Sequence, residues 1–434
     1  MNKNYPTIFL LLLLPLLCFS QQEKGIYGNE NWLSIWTEFN SKSKQYPEPT
    51  QILSGTISKD TKLMKKETYL LLGDVFVTDS TTLSIEPGTV ILADYKSKAS
   101  LVISNGSKIM AEGTQTDPII FSSNRGVKKK GDWGGIVLLG DAPVNKVGET
   151  WDFDYGMRAP SAGLLRYGGQ NPESNSGVMK YVRIEYAGKR TKDHGYFNGL
   201  TLAGVGDGTV IENIMVSYSE GGSFYVLGGN AIMFQLVSFR AKRNDFIFNY
   251  GAQALLTNSL AVKSPYHTTS GKASSVYLAS YEEKSEVDPT KKGTYLYAEN
   301  LTLMVLSDNL EADTNVGLVH EAMYVKEGTS FLVDKSIFSG FNPAVVLDNK
   351  IFVNNENLSK MRFTNMYFNN CKGNIFTENV PNNEDLENWY GNSAFGNVYS
   401  HGSDSETFIN VKNMSDPDFR LRINKIIASS IPEK

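Results

Sequence analysis

Between Leu83 and Phe121 the apolar residues fall in short bursts separated by turn-forming residues. Leu83 and Ile85 flank Ser84, Leu101 and Ile103 flank Val102, and Ile119 and Phe121 flank Ile120. Apolar outer positions around a variable middle one are the period of a strand with one buried face. Pro87-Gly88 and Asn105-Gly106 follow two of these trios, and both pairs favour sharp turns. The trios recur at a step of 18 residues, which reads as one coil per trio. Short strands, tight corners and a near-constant step predict a solenoid of stacked β-coils.

The same rhythm extends along the chain. Phe224-Tyr225-Val226 returns as Phe246-Ile247-Phe248 after 22 residues, and Met215 returns as Leu236 and then Leu260 after 21 and 24. Further strands are expected near 301–306, 336–338 and 366–368, with loops at 263–293, 307–330, 342–361 and 377–405. Gly131 to Gly140 reads as an apolar strand behind glycines, with Gly134 and Gly135 leaving room for close backbone approach. Trp133 within it is expected to plug a corner of the core, a sugar-stacking platform being the alternative. Residues 141–176 interrupt the rhythm as a loop insertion rich in Gly, Pro, Asn and Ser. Asn213, Asn258, Asn300 and Asn365 each stand just before an apolar strand, and are expected to stack their amides along the coil axis.

The ends differ from the coils. Lys3 and the apolar run Ile8–Leu17, followed by Cys18-Phe19-Ser20, read as a signal peptide over 1–20 cleaved after Ser20. Cys18 raises lipid attachment as a lesser alternative, because Leu16 and Leu17 are bulky for such a site. Trp32, Leu33, Ile35, Trp36 and Phe39 fall at helical spacing behind Asn31, so 21–50 reads as a leader with a helix capping the first coil. The β-helix is expected over 51–425 and a tail over 426–434, where Ile426 and Ile427 would form a second cap.

The chain of 434 residues carries a formal charge of −4 with no basic stripe, which argues against a nucleic-acid partner. Beyond the leader only Cys371 remains, so no disulfide can form within one chain. It reads as a small buried hydrophobe.

The runs IEPGTVI, LVISNGSKIMAEGTQTDPIIFSS, GDWGGIVLLG, YGGQNPESNSGVMKYVRIEYAG, GLTLAGVGDGTVIENIMVSYS and DFIFNYG resemble a family of exported right-handed parallel β-helices from Gram-negative envelopes. The resemblance covers about residues 51 to 264. It implies export to the periplasm, outer membrane or cell surface, and association with outer-membrane receptor barrels. Family members are rich in Asp where this chain reads YSEGGSFYV (218–226) and AKRNDFIFNY (241–250), so here only Glu220 and Asp245 remain.

The fold expected is therefore all-β, a single right-handed parallel β-helix with a short N-terminal capping helix and long loop insertions. The leading functional expectation is a non-enzymatic envelope scaffold whose loops bind an outer-membrane protein or a surface glycan. Membrane association would then come through that partner. A polysaccharide lyase or glycoside hydrolase is the alternative. Its catalytic candidates are Glu220, Arg240, Arg243 and Asp245, with Lys242 beside them and Glu185 and Glu212 as further carboxylates. An adhesin is the third reading, using Tyr196, Phe197 and the loop aromatics. Candidate ligand-binding residues are Trp151, Asp152, Asp154, Tyr155 and His194. No cofactor is expected beyond a calcium ion shared by Asp152 and Asp154. His267, His320 and His401 show no metal-ligand spacing. A groove where carboxylates meet an Arg or Lys would point to an enzyme, and a flat apolar face to a protein partner.

Overall fold

The computed structural model describes residues 24–157, 159–268, 273–373, 375–377, 384–422 and 424–425. The signal-peptide reading of 1–20, Cys18, Ile426 and Ile427 lie outside them. Among the described residues, 29 strands join through parallel hydrogen bonding into one continuous set wound as a right-handed β-helix. Each full coil crosses three sheets. The first sheet begins at 51–54, passes through 90–93, 182–185 and 237–239, and ends at 398–400. The second contains 100–103, 136–139, 200–203, 224–227 and 246–249. The third contains 82–85, 108–112, 230–234, 253–257, 295–299 and 330–334.

The register corrects the 18-residue step. Leu83 pairs with Ile109 in the third sheet, Leu101 with Ile136 in the second and Ile119 with Val182 in the first. Eighteen residues thus carry the chain onward by two of the three faces, not round a full coil. The 22-residue step is a true coil, since Phe224 pairs with Phe246. Met215 pairs with Val237, which pairs with Leu260. Leu236 is one residue out of that column and points into the interior, as the two-residue strand period requires.

The interior is one apolar column. Trp133 is fully buried in it, stacks on Phe121 with centroids 6.4 Å apart and donates its indole N–H to the Glu185 carbonyl. A Cβ on Gly134 would strike Ser100, and one on Gly135 would strike the Asn198 carbonyl, so both glycines permit the close approach.

Over the middle coils the outer faces of the first two sheets are also buried, whereas the terminal strands 51–54 and 398–400 are largely open. The burial pattern is unbroken in 100–103, 136–139, 224–227, 260–263 and 302–305. The third sheet alternates instead: in 253–257 and 330–334, buried positions alternate with half-buried ones. Val210, Ile232 and Tyr295 are exposed along it.

The cover on the first sheet comes from both ends of the chain. Residues 24–50 hold no α-helix; they run as turns with one 3-10 turn, Ser41–Ser43, and lie lengthwise along the barrel side. The expected capping helix over the first coil is therefore a strap. Gly25 donates its N–H to the Lys335 carbonyl, the Ile26 N–H bonds Thr302 Oγ1, and Ser41 Oγ lies 3.1 Å from the Tyr186 hydroxyl. Ile26, Leu33, Trp36 and Phe39 are buried against Met215, Val237, Phe239 and Ile337. Helical spacing misled because the same residues reach one surface from a turn-rich, irregular path. The antiparallel pair Phe408–Asn410 and Asp418–Leu421 completes this cover. The 141–176 insertion covers the second sheet through Val144, Phe153 and Tyr167.

The asparagine corners also differ from expectation. Asn213, Asn258, Asn300 and Asn365 all have positive φ, between 47° and 58°, and so turn the chain from the third sheet into the first. Asn tolerates this left-handed conformation better than most residues. Among the described residues these amides bond to partners outside the four. Asn213 bonds Gln235, Asn365 bonds Asp334, Asn300 bonds the Gly25 carbonyl, and Asn258 bonds both the N–H and the carbonyl of Tyr27. Two of the corners thus hold the strap.

Replacing Asn258 by Ala removes both bonds to Tyr27 and places a Cβ-bearing residue without a side-chain amide at φ 47°. The expected loss is about 2 kcal/mol, read as a lower thermal midpoint. Asn258→Gly, which relieves the backbone but still lacks the amide, should recover only part of it. Unchanged midpoints in both variants would show that this corner does not hold the strap.

Candidate functional site

The acidic candidates are dispersed into separate structural pairs. Glu220 Oε1 lies 2.5 Å from Lys242 Nζ. Asp245 is fully buried, accepts from Ser238 Oγ at 2.5 Å and lies 3.2 Å from Lys263 Nζ. Burial pushes the Asp245 carboxyl up, against the pull of Lys263 and Ser238. Glu185 is buried too, bonded by Ser122 Oγ at 2.8 Å and the Tyr46 hydroxyl at 3.0 Å, with Arg183 beside it. Burial raises its pKa as well. Glu212 pairs with Lys180 on the third sheet. Arg240 packs on the Phe239 ring at 4.9 Å, and Arg243 on the Tyr196 ring at 4.1 Å.

Beside this group Lys130 donates to the carbonyls of Arg240 and His267 at 2.6 and 3.1 Å. Burial pulls its ammonium down to about 7; Glu220 opposes this, while Lys263, Lys242 and Arg240 add to it. Burial, with Lys130 and Arg240 nearby, pushes His267 down to about 4.

A different set of residues converges. A cleft of about 550 Å³ opens between the insertion and the loop 189–194, lined by Asp74, Lys98, Tyr155, Lys189, Arg190 and His194, with Lys192 and Asp193 on its rim. Tyr155 stacks on Phe153 at 4.4 Å and meets Phe197 edge-on at 5.4 Å, which fixes the ring at the cleft wall. Burial pushes its hydroxyl up to about 12. The loop is a tight reversal: Arg190 bridges Tyr196, the Thr191 N–H donates to the Gly195 carbonyl, and Gly195 takes φ 78°. Lys189 Nζ donates to Asp74 Oδ1 at 2.9 Å, the Lys98 carbonyl at 2.9 Å and Ser100 Oγ at 2.7 Å. Burial lowers its pKa, and Asp74 opposes this.

Of the ligand-binding candidates, Tyr155 and His194 line this cleft, and Asp154 reaches it through His194 Nε2 at 3.7 Å. Trp151 and Asp152 do not line it. Trp151 lies under Lys146 at 4.6 Å, and Asp152 faces Arg166 at 3.8 Å. Asp152 and Asp154 therefore point to different partners. Among the described residues no group of three or more His, Cys, Asp or Glu could hold a metal ion. Cys371 packs against the core, with its thiol pushed up to about 12 by burial. Sequence reasoning missed Asp74, Lys98, Lys189, Arg190 and Lys192. The run Lys189-Arg190-Thr191-Lys192-Asp193-His194 was the available signal, a charged reversal between two strands.

The family model for the pectate-lyase-like β-helix domain matches residues 55–409. No curated protein and no solved structure matches the chain.

Lys130 gives a pH test of the buried charges. Its folded value is depressed from 10.5 to about 7, so its stability contribution is present above 10.5 and lost as pH falls toward 7. Urea midpoints should therefore rise between pH 7 and 9, and Lys130→Met should flatten that rise. Lys24, depressed to about 8, acts in the same direction, so the difference between variant and parent isolates Lys130. An equal slope in both proteins would assign the effect elsewhere.

Proposed function

Since the chain belongs to the pectate-lyase-like β-helix family, we propose that it is an exported, non-catalytic envelope scaffold that binds an acidic glycan in the cleft between the insertion and loop 189–194. The observation that carries this reading is the charge balance of the cleft. Lys98, Lys189, Arg190 and Lys192 stand against Asp74 and Asp193, with the Tyr155 ring on the wall. Arg190, Lys192 and Asp193 are exposed at the mouth. Cations beside an aromatic face suit a sugar chain bearing carboxylates. Loops on a rigid solenoid are a favourable place for such recognition. Export rests on the apolar run after Lys3, and the outer-membrane setting on the family resemblance.

The dispersal of Glu220, Asp245 and Glu185 into separate pairs favours binding over turnover. A second reading, a polysaccharide lyase, has one observation in its favour: Lys189, with its lowered pKa, sits beside Asp74 in a cleft that also holds Asp193 and Arg190. A lyase base must release a proton before accepting one. The three bonds donated by Lys189 Nζ use all three ammonium protons and favour the charged form.

Polygalacturonate separates the readings. The protein should retard in affinity gels containing it, less so as salt rises. Arg190→Ala with Lys192→Ala should weaken binding about tenfold, on the order of 1.4 kcal/mol for two exposed charge contacts. Ultraviolet absorbance from unsaturated uronate should not grow. Growth that disappears in Lys189→Met would establish the lyase, and neither binding nor turnover would remove both readings.

A further inference from the structure

At the far end of the solenoid a second cleft, of about 700 Å³, lies between helix Asn355–Ser359 and helix Glu384–Tyr390. It shares no residue with the first. Its chemistry is also opposite. Amides dominate the lining, from Asn354, Asn355, Asn388 and Asn392, with Trp389 and Asp385 among them. No cation lines it. Glu356 is the other acid, and Lys360 pairs with it from outside the lining at 2.9 Å.

Several of these polar groups have hydrogen-bonding capacity left over. Asn354 Oδ1 caps its helix by accepting from the Asn357 N–H, and Asn392 Oδ1 accepts from the Ala394 N–H, so both amide NH₂ groups remain. Trp389 packs against the apolar core, yet its indole N–H is shielded from water and has no acceptor. Leaving such a donor unpaired costs about 1–3 kcal/mol. Beside Val353 of the lining, the Phe352 ring is 78% exposed.

From this arrangement we propose that the cleft binds an uncharged saccharide. Sugar hydroxyls both donate and accept, which suits NH₂ groups, amide oxygens and the Asp385 carboxylate side by side. An indole and an amide-rich wall supply an apolar surface with a few directed polar groups, the usual make-up of a small-ligand site. An acidic sugar would meet Asp385 with no lining cation to balance it. This site is independent of the first cleft, so the two would give the scaffold two glycan contacts of different charge at different points along its axis.

The test is titration calorimetry of the full chain with maltohexaose, cellohexaose, xylohexaose and mannohexaose, with polygalacturonate as the acidic comparison. At least one neutral hexaose should bind and shift tryptophan emission. Asn388→Ala and Asp385→Asn, both at exposed positions that leave the fold intact, should each weaken it at least fivefold. Trp389→Ala should abolish the emission shift. Lys192→Ala should change only polygalacturonate binding. Absence of binding by all four neutral hexaoses would overturn the proposal, as would neutral binding indifferent to both Asn388→Ala and Asp385→Asn.

Discussion

Parallel strands with apolar side chains on both faces need a cover on the outside as well as a core within. The rest of this molecule follows from how that need is met. The first sheet is covered by the strap 24–50 and by the Phe408–Leu421 hairpin, and the second by the 141–176 insertion. The third sheet alternates buried and more exposed positions and faces outward. Covering the second sheet is also what builds the first cleft. Phe153 and Tyr155 seat the insertion against Phe197, and the groove forms where the insertion meets loop 189–194.

The strap ties the ends of the solenoid together. Lys24 Nζ donates to the carbonyls of Met366 and Gly396, while Thr50 donates its N–H to the Thr68 carbonyl. Its docking surface includes Ile337 and Tyr367, so it can seat only after those late coils have formed. A solenoid otherwise gains stability coil by coil from nearest neighbours. A strap contacting early and late coils adds a long-range term that makes distant coils depend on one another.

Much of the fold was legible because burial writes itself into side-chain pattern. Continuous apolar runs such as Ile136-Val137-Leu138-Leu139 mark sheets buried on both faces, and alternation such as Met361-Arg362-Phe363-Thr364 marks the outward one. The coil step was harder to read, since three strands of similar length per coil make a two-face advance look like a full turn. Corner asparagines were visible, but their role depended on a segment more than 200 residues away, as Asn258 and Tyr27 show. The candidate acids were named together because coils bring residues about twenty apart into register. Only coordinates could show that Lys242, Lys263 and Arg183 each claim a different one. Tyr155 and His194 were named from the aromatic and charged residues of the loops, and both line the cleft. Asp74 and Lys98 were not, because they belong to corners of earlier coils that meet the loop only in space.

The central claim is that the solenoid depends on its own ends for a cover. Hydrogen exchange on a chain beginning at Thr50, compared with the full protein, tests it most directly. The account predicts that strands 215–217, 237–239 and 260–263 lose protection together and that the shortened protein aggregates through the bared first sheet. Equal protection of those strands in both proteins, with the shortened one monomeric, would contradict it.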